Sequence, residues 1–207
     1  MKKTAFFFLL SILSGGLFAQ LSFSPIVAAN YSKATTNRTE FKTSGVLRYT
    51  LGVQPVYHFN EKMAVGLGLQ LSTKGYKDDA GMYRLSEESK FQYLEANPFF
   101  EFRPFKSIGI IAGGNVAYLN SFEYKFEGEW QKPVSGKNYS QKWDIQLAGG
   151  LRYYLGEAFV SLLFSQSFLP FEKIYFTDAN GETTGSLKEY HQSISLGAGY
   201  NFQLKKK

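Results

Sequence analysis

The chain has 207 residues, no cysteine, twenty glycines, six prolines, 44% hydrophobic residues and a formal charge of +6. The lack of cysteine excludes a disulfide framework, a Cys-ligated zinc or iron–sulfur site, a thiol nucleophile and a lipid-modified N-terminal Cys. Fourteen Tyr and twenty Phe help bring the aromatic content to 17%, too rich for disorder, and the length suits one domain.

At the N-terminus, Lys2 and Lys3 precede an apolar run from Ala5 to Leu13, and the small residues Ser14, Gly15, Gly16 and Ala19 follow. This is the order of a cleavable export signal. Cleavage is placed after Ala19, so that residues 1–19 form the signal peptide and 20–207 the mature domain. Nine residues are about half of the roughly 20 that a helix needs to span a bilayer. No later apolar run reaches that length, so the mature chain is either soluble outside the cytoplasm or crosses a membrane as strands.

From residue 21 the hydrophobic period is two. Segments of this kind run through about 21–31, 45–59, 62–76, 91–105, 107–120, 143–155 and 158–169, and the eighth carries His191 to Phe202. In the third, Met63, Val65, Leu67, Leu69 and Leu71 share one face, while Ala64, Gly66, Gly68, Gln70 and Ser72 share the other. The connections near Asn60–Lys62, Phe105–Ser107 and Gly156–Glu157 are short, whereas those through 32–44, 77–90, 121–142 and 170–189 are long. Short turns on one side and long loops on the other are the pattern of an outer-membrane barrel.

Alternation alone does not say which face is inside, since a soluble barrel has the same period with an apolar lumen. A water-facing strand surface is dense in Lys and Glu, but here the polar face is mostly Gly, Ala, Ser, Asn and Gln, which suits a narrow lumen. The apolar face carries aromatics near both strand ends: Phe23, Tyr57, Phe59, Phe102, Tyr153 and Phe202 by the turns, and Tyr31, Tyr49, Tyr118, Trp143, Phe168 and Tyr190 by the loops. Two such girdles fit two lipid interfaces. The predicted fold is therefore all-β, an eight-stranded antiparallel up-and-down transmembrane β-barrel with short periplasmic turns and long extracellular loops, located in the outer membrane.

Glu61-Lys62-Met63 through Leu67-Gly68-Leu69-Gln70-Leu71-Ser72-Thr73-Lys74-Gly75-Tyr76-Lys77, followed by Tyr93-Leu94-Glu95-Ala96-Asn97-Pro98-Phe99-Phe100, resembles the PorT-like outer-membrane β-barrel family of Bacteroidota-type bacteria. In that family a strand ending in Lys-Gly is followed by a Tyr-Leu-Glu-(Ile)-Pro strand. The likeness covers the mature chain in layout and these two strands in motif. Asn97 is inserted before Pro98, and the chain ends Leu204-Lys205-Lys206-Lys207 where many barrels end on an aromatic residue. The resemblance implies the fold and location, and an association with secretion of the kind known for the name-giving member.

Removal of residues 1–19 leaves 21 basic residues against 17 acidic ones. They are spread over both ends and the lumen rather than gathered on one face, so the charge does not point to nucleic acid. By strand phase, Arg48, Lys74, Glu95, Glu101, Arg103, Asp144 and Arg152 face the lumen. By depth, Arg48, Lys74, Glu95 and Asp144 are expected toward the loops, and Glu101, Arg103 and Arg152 toward the turns. Eight strands enclose a space just wide enough for side chains to fill, so the barrel is expected to be closed to solutes.

His191, Ser193 and Glu189 share a phase, an arrangement that resembles the catalytic His and Ser of outer-membrane lipid A deacylases. Their phase points into the lumen, away from lipid, and a satisfied lumen residue is the expectation. His58 lies near the opposite end, so no two-His metal site is expected, and no cofactor motif is present. The even phase of Val116 and Tyr118 continues as Phe122, Tyr124 and Phe126, so this strand is expected to rise beyond the membrane and pair with the run before Trp143. Ile174 to Thr177 leads into Asn180-Gly181, a hairpin turn signal. These hairpins would hold Phe122, Tyr124, Phe126, Trp130, Tyr139, Tyr175 and Phe176 above the bilayer as a joint binding ridge. The function expected is a non-enzymatic barrel surrounded by outer-membrane lipid whose loops bind a protein or glycan. A small-solute channel is the alternative, and a lipid-modifying enzyme the third reading.

Overall fold

The computed structural model describes residues 21–38, 42–78, 88–132 and 141–203. The signal segment 1–19, Tyr139 and Lys205 to Lys207 lie outside them. The strands are β1 (Leu21–Thr36), β2 (Thr43–His58), β3 (Met63–Asp78), β4 (Glu88–Phe105), β5 (Ile108–Phe126), β6 (Glu129–Gln131), β7 (Trp143–Leu155), β8 (Ala158–Ser167), β9 (Glu172–Thr177), β10 (Thr183–Tyr200) and β11 (Phe202–Gln203). Eight of them, β1-β2-β3-β4-β5-β7-β8-β10, pair in sequence, and β10 closes the ring on β1 from Ile26↔Gly199 to Thr36↔Glu189, antiparallel throughout. Closure removes the sheet edges that lipid would leave unsatisfied. The short pieces β6, β9 and β11 pair with β5, β10 and β1.

Period two sorts the side chains. Met63, Val65, Leu67, Leu69 and Leu71 are exposed on the outer face of β3, as are Phe23, Tyr31, Tyr49, Phe102, Tyr118, Trp143, Tyr153, Phe168 and Phe202 elsewhere around the wall. The buried side chains include Lys74, Glu95, Glu101, Asp144, Arg152, Glu189 and His191. An apolar exterior around a polar interior is the reverse of a soluble barrel. It leaves hydrocarbon as the solvent that the wall fits.

At the turn end, Asn60 Oδ1 accepts from the N–H of Lys62 and Met63 at 2.8 and 2.9 Å, closing the β2–β3 turn. At the loop end the strands are longer than the hydrophobic pattern: β1 reaches Thr36, β4 begins at Glu88, β5 runs to Phe126 and β10 begins at Thr183. Above the bilayer the outer face of a strand meets water instead of lipid while the inner face packs aromatic side chains, so the alternation fades while the backbone ladder continues.

Two irregularities change side-chain directions there. Gln92 pairs with Ser121 but Tyr93 with Leu119, so Asn120 is an extra residue in β5 and the phase shifts. Phe122 and Tyr124 therefore do not continue the outward phase of Val116 and Tyr118; they stand opposite Phe91 and Ser89, on the inner face. The strand then turns back at Glu127 and Gly128, both with positive φ (50° and 82°), which is the signature of a type I′ hairpin. Tyr124 to Phe126 pair with Glu129–Gln131, and lower down the Leu119 N–H donates to the carbonyl of Lys142, just before Trp143, at 2.8 Å; residues 133–140 lie outside the described residues.

The second irregularity lies between β2 and β3, whose ladder breaks between Gly45 and Thr50. There the Ser32 hydroxyl of β1 donates to the Gly75 carbonyl and accepts from its N–H, both at 2.7 Å. The Thr73 hydroxyl similarly donates to Tyr49 O at 2.7 Å and accepts from Tyr49 N at 3.1 Å. Side chains thus supply the hydrogen bonds that the interrupted ladder lacks.

Candidate functional site

The interior is built in three layers from residues that period two turns inward. At the turn end, β4 presents Glu101, which is 0% exposed, and β7 presents Arg152 at 2%. Arg152 Nη1 donates to Glu101 Oε2 at 3.1 Å and its Nη2 to Gln54 Oε1 of β2 at 2.8 Å. Arg103 Nε donates to Glu101 Oε1 at 2.8 Å and its Nη2 to the Tyr154 hydroxyl at 2.6 Å, while that hydroxyl donates to Glu101. The guanidiniums lie over rings, Arg103 at 4.1 Å from Tyr154 and Arg152 at 4.1 Å from Phe159. Charge, hydrogen bonds and aromatic area together seal this end.

Above this layer lies a chamber of about 70 Å³, lined by polar side chains that include Asn30, Thr50, Gln54, Asn97, Asn115 and Ser161. Its upper wall is the second ionic cluster. Lys74 Nζ is 2.7 Å from Glu95 and 3.4 Å from Asp144. Gln146 Nε2 donates to Asp144 at 2.6 Å, and Asn115 Nδ2 donates to Glu95 at 2.9 Å.

The third layer is an aromatic plug at the loop end. Phe91 and Tyr93 of β4, Tyr76 of β3, Phe171 and Ala34 are buried together with Ala117, and Leu119 and Phe122 pack against them. His191 stacks on Phe171 with ring centroids 4.1 Å apart, and its Nε2 is hydrogen-bonded to the Tyr93 hydroxyl at 3.0 Å. Phe171 follows β8 inside the segment read as a loop, where no periodicity marks it; the apolar run Phe168-Leu169-Pro170-Phe171 is the available signal.

The structure does not join His191 to Ser193. Ser193 Oγ is hydrogen-bonded to Ser165 Oγ at 2.8 Å, and Glu189 accepts from the Tyr76 hydroxyl at 3.2 Å. His58 is at the turn end, 3.0 Å from Ser22 Oγ. Among the described residues no group of three His, Cys, Asp or Glu side chains could hold a metal ion.

Arg48, expected in the upper lumen cluster, is elsewhere. Its Nη2 donates to Glu88 at 2.5 Å, and Glu88 is out of phase with the lumen residues Ser89, Phe91 and Tyr93 of β4. The broken β2–β3 ladder releases the segment that carries Arg48, and the guanidinium lies beside Gly75, where no Cβ blocks it. Arg48 and Lys90 approach the exposed Trp130 ring at 5.9 and 5.8 Å, and Lys90 is ion-paired with Glu123 at 2.9 Å. Of the other aromatics expected on a ridge, Phe122 turns inward, 4.8 Å from Phe91, and Tyr124 stacks on it at 6.0 Å. Phe126 is half-buried on β5. Tyr175 is exposed on β9, and the Phe176 ring lies under Arg38 at 4.8 Å.

No family model matches the chain, and no curated protein matches it. Among solved structures it is similar to Neisserial surface protein A, with a TM-score of 0.52 and 11% identity over 87% of this chain and 97% of that one. It is also similar to the attachment invasion locus protein Ail of Yersinia pestis (TM-score 0.48, 13% identity, 87% and 98% covered) and to OprG of Pseudomonas aeruginosa (0.47, 16%, 91% and 98%). At such identity the likeness is one of fold. The architecture is that of the eight-stranded outer-membrane β-barrels.

Proposed function

We propose that this protein is exported by its N-terminal segment to the outer membrane, where it acts as a non-enzymatic barrel that binds a surface partner, protein or glycan, through its loop-end hairpins. The turns then face the periplasm and the loops the cell exterior. The observation that carries this reading is Trp130, exposed at the loop end on an I′ hairpin, with Arg48 and Lys90 near its ring. A large exposed ring with cations beside it is a typical binding anchor for a protein or a sugar face. Absence of catalysis is supported by His191, whose Nε2 is occupied by Tyr93 and whose ring is packed in the plug. The Lys-Gly and Tyr-Leu-Glu motifs support a PorT-like, secretion-associated assembly role.

Deleting residues 123–138 removes Trp130, β6 and the loop-end tip of β5 while sparing the part of the ring below it. The deletion is expected to leave heat-modifiable gel mobility intact and to abolish capture of the proteins or glycans that co-purify from native outer membrane. Retention of every partner by the shortened barrel contradicts the binding role. A second reading, a small-solute channel, rests on the polar chamber, and it requires both the Glu101 layer and the aromatic plug to open.

A further inference from the structure

The ionic cluster beside the chamber is unbalanced in charge, with Lys74 and Glu95 lining the chamber and Asp144 next to Lys74 outside the lining. One ammonium, Lys74, faces two carboxylates, Glu95 and Asp144, and all three side chains are 4% exposed or less. Excess buried charge is strongly unfavourable unless something compensates it. The opposite surplus, Arg103 and Arg152 against Glu101, lies across the chamber in the turn-end layer and is engaged there by Tyr154 and Gln54.

Asn115 adds an independent observation. Its Nδ2 donates to Glu95 Oε2 at 2.9 Å and to Gln146 Oε1 at 3.2 Å, and Gln146 Nε2 donates to Asp144. Because carboxylates only accept, they fix the direction of both amides. Asn115 Oδ1 is therefore an acceptor by necessity. It is buried, on a residue only 4% exposed that lines the chamber, and has no hydrogen-bond partner. Asn30 Oδ1, on a 3% exposed residue lining the same chamber, also has none.

We infer that the chamber is a binding site for a monovalent alkali cation, held by the amide oxygens of Asn115 and Asn30 beside the Glu95 carboxylate. Neutral oxygen dipoles with one nearby carboxylate suit an ion that exchanges its hydration shell for carbonyl-type oxygens. A divalent ion fits worse: only one carboxylate lines the chamber, Lys74 stands beside it, and Mg²⁺ demands near-ideal octahedral geometry. Anions are repelled by the surplus. A volume of about 70 Å³ admits a bare ion with one or two waters. The other titratable groups around the wall are Asp144 on β7 and His191 on β10, behind Lys74.

The test uses the full mature barrel folded in detergent micelles. Its thermal midpoint, read from the heat-modifiable gel band at a fixed urea concentration that brings unfolding into range, is compared in sodium, potassium and N-methylglucamine chloride at equal ionic strength. The organic cation is too large for the chamber. An alkali ion is expected to raise the midpoint by about 3–5 °C over N-methylglucamine, the size of shift given by roughly ten-fold saturation of one native-state site. Glu95→Gln removes the surplus carboxylate and is expected to erase the difference; should that variant fail to fold, Asn115→Leu makes the same test by removing the oxygen. Equal midpoints in all three salts mean that the chamber holds water alone or that a carboxyl is protonated, and either overturns the proposal. A difference that persists in the variant marks a bulk salt effect and also overturns it.

Discussion

Glu101 and Tyr154 occupy the same layer but carry different weights. Glu101 is the carboxylate for both Arg103 and Arg152, whereas Tyr154 contributes one hydroxyl between Arg103 and Glu101. Glu101→Gln preserves volume but leaves two guanidiniums without a counter-charge, one of them fully buried. Breaking a buried pair from one side costs about 3–5 kcal/mol. Tyr154→Phe keeps the ring under Arg103 and loses one hydrogen-bonding group, at about 1–3 kcal/mol. Urea unfolding in micelles is expected to place Glu101→Gln well below Tyr154→Phe, and the reverse order would assign the seal to the phenol.

At the scale of elements, the wall depends on close approach between strands. Gly66 of β3 stands opposite Phe99 of β4, and the Phe99 ring lies where a Gly66 Cβ would be. The ring covers the glycine backbone and belongs to the small apolar cluster of Val56, Ala64 and Ile111. Gly66→Ala forces the ring off this position and is expected to cost about 1–3 kcal/mol, the usual range for overpacking. Ala64→Gly on the same strand creates no clash and serves as the control. An unchanged urea midpoint for Gly66→Ala would show that Phe99 has a second rotamer available at no cost.

For the whole molecule, two layers of different chemistry close one lumen, an ionic layer at the turns and an aromatic plug at the loops. Purified protein in planar bilayers is therefore expected to show no steady large conductance, and such a conductance would favour the channel reading. An even number of strands returns the chain to its starting side. Both termini are expected in the periplasm, so protease applied to intact cells should cut within 121–142, and protection of that segment without a covering partner would contradict the orientation.

How much of this was legible in the sequence follows from what each part of the chain faces. Across the bilayer, one face of every strand meets hydrocarbon and the other a narrow polar lumen, so period two survives in the residues themselves. It yields the eight strands, their up-and-down order, the girdles, and the inward phase of Lys74, Glu95, Glu101, Asp144 and Arg152. Beyond the bilayer the outer face meets water instead of lipid while the inner face packs the aromatic plug, and the constraint that fixes an apolar outside against a polar inside is lost. Register and packing decide there. The extra residue at Asn120 turns Phe122 inward, the broken β2–β3 ladder carries Arg48 to Glu88, and Phe171 folds back over His191. None of these leaves a periodic trace, because each depends on which residue of a neighbouring strand stands opposite. The unpartnered Asn115 oxygen has the same origin, since only the assembled carboxylates of β4 and β7 determine which end of that amide faces the chamber.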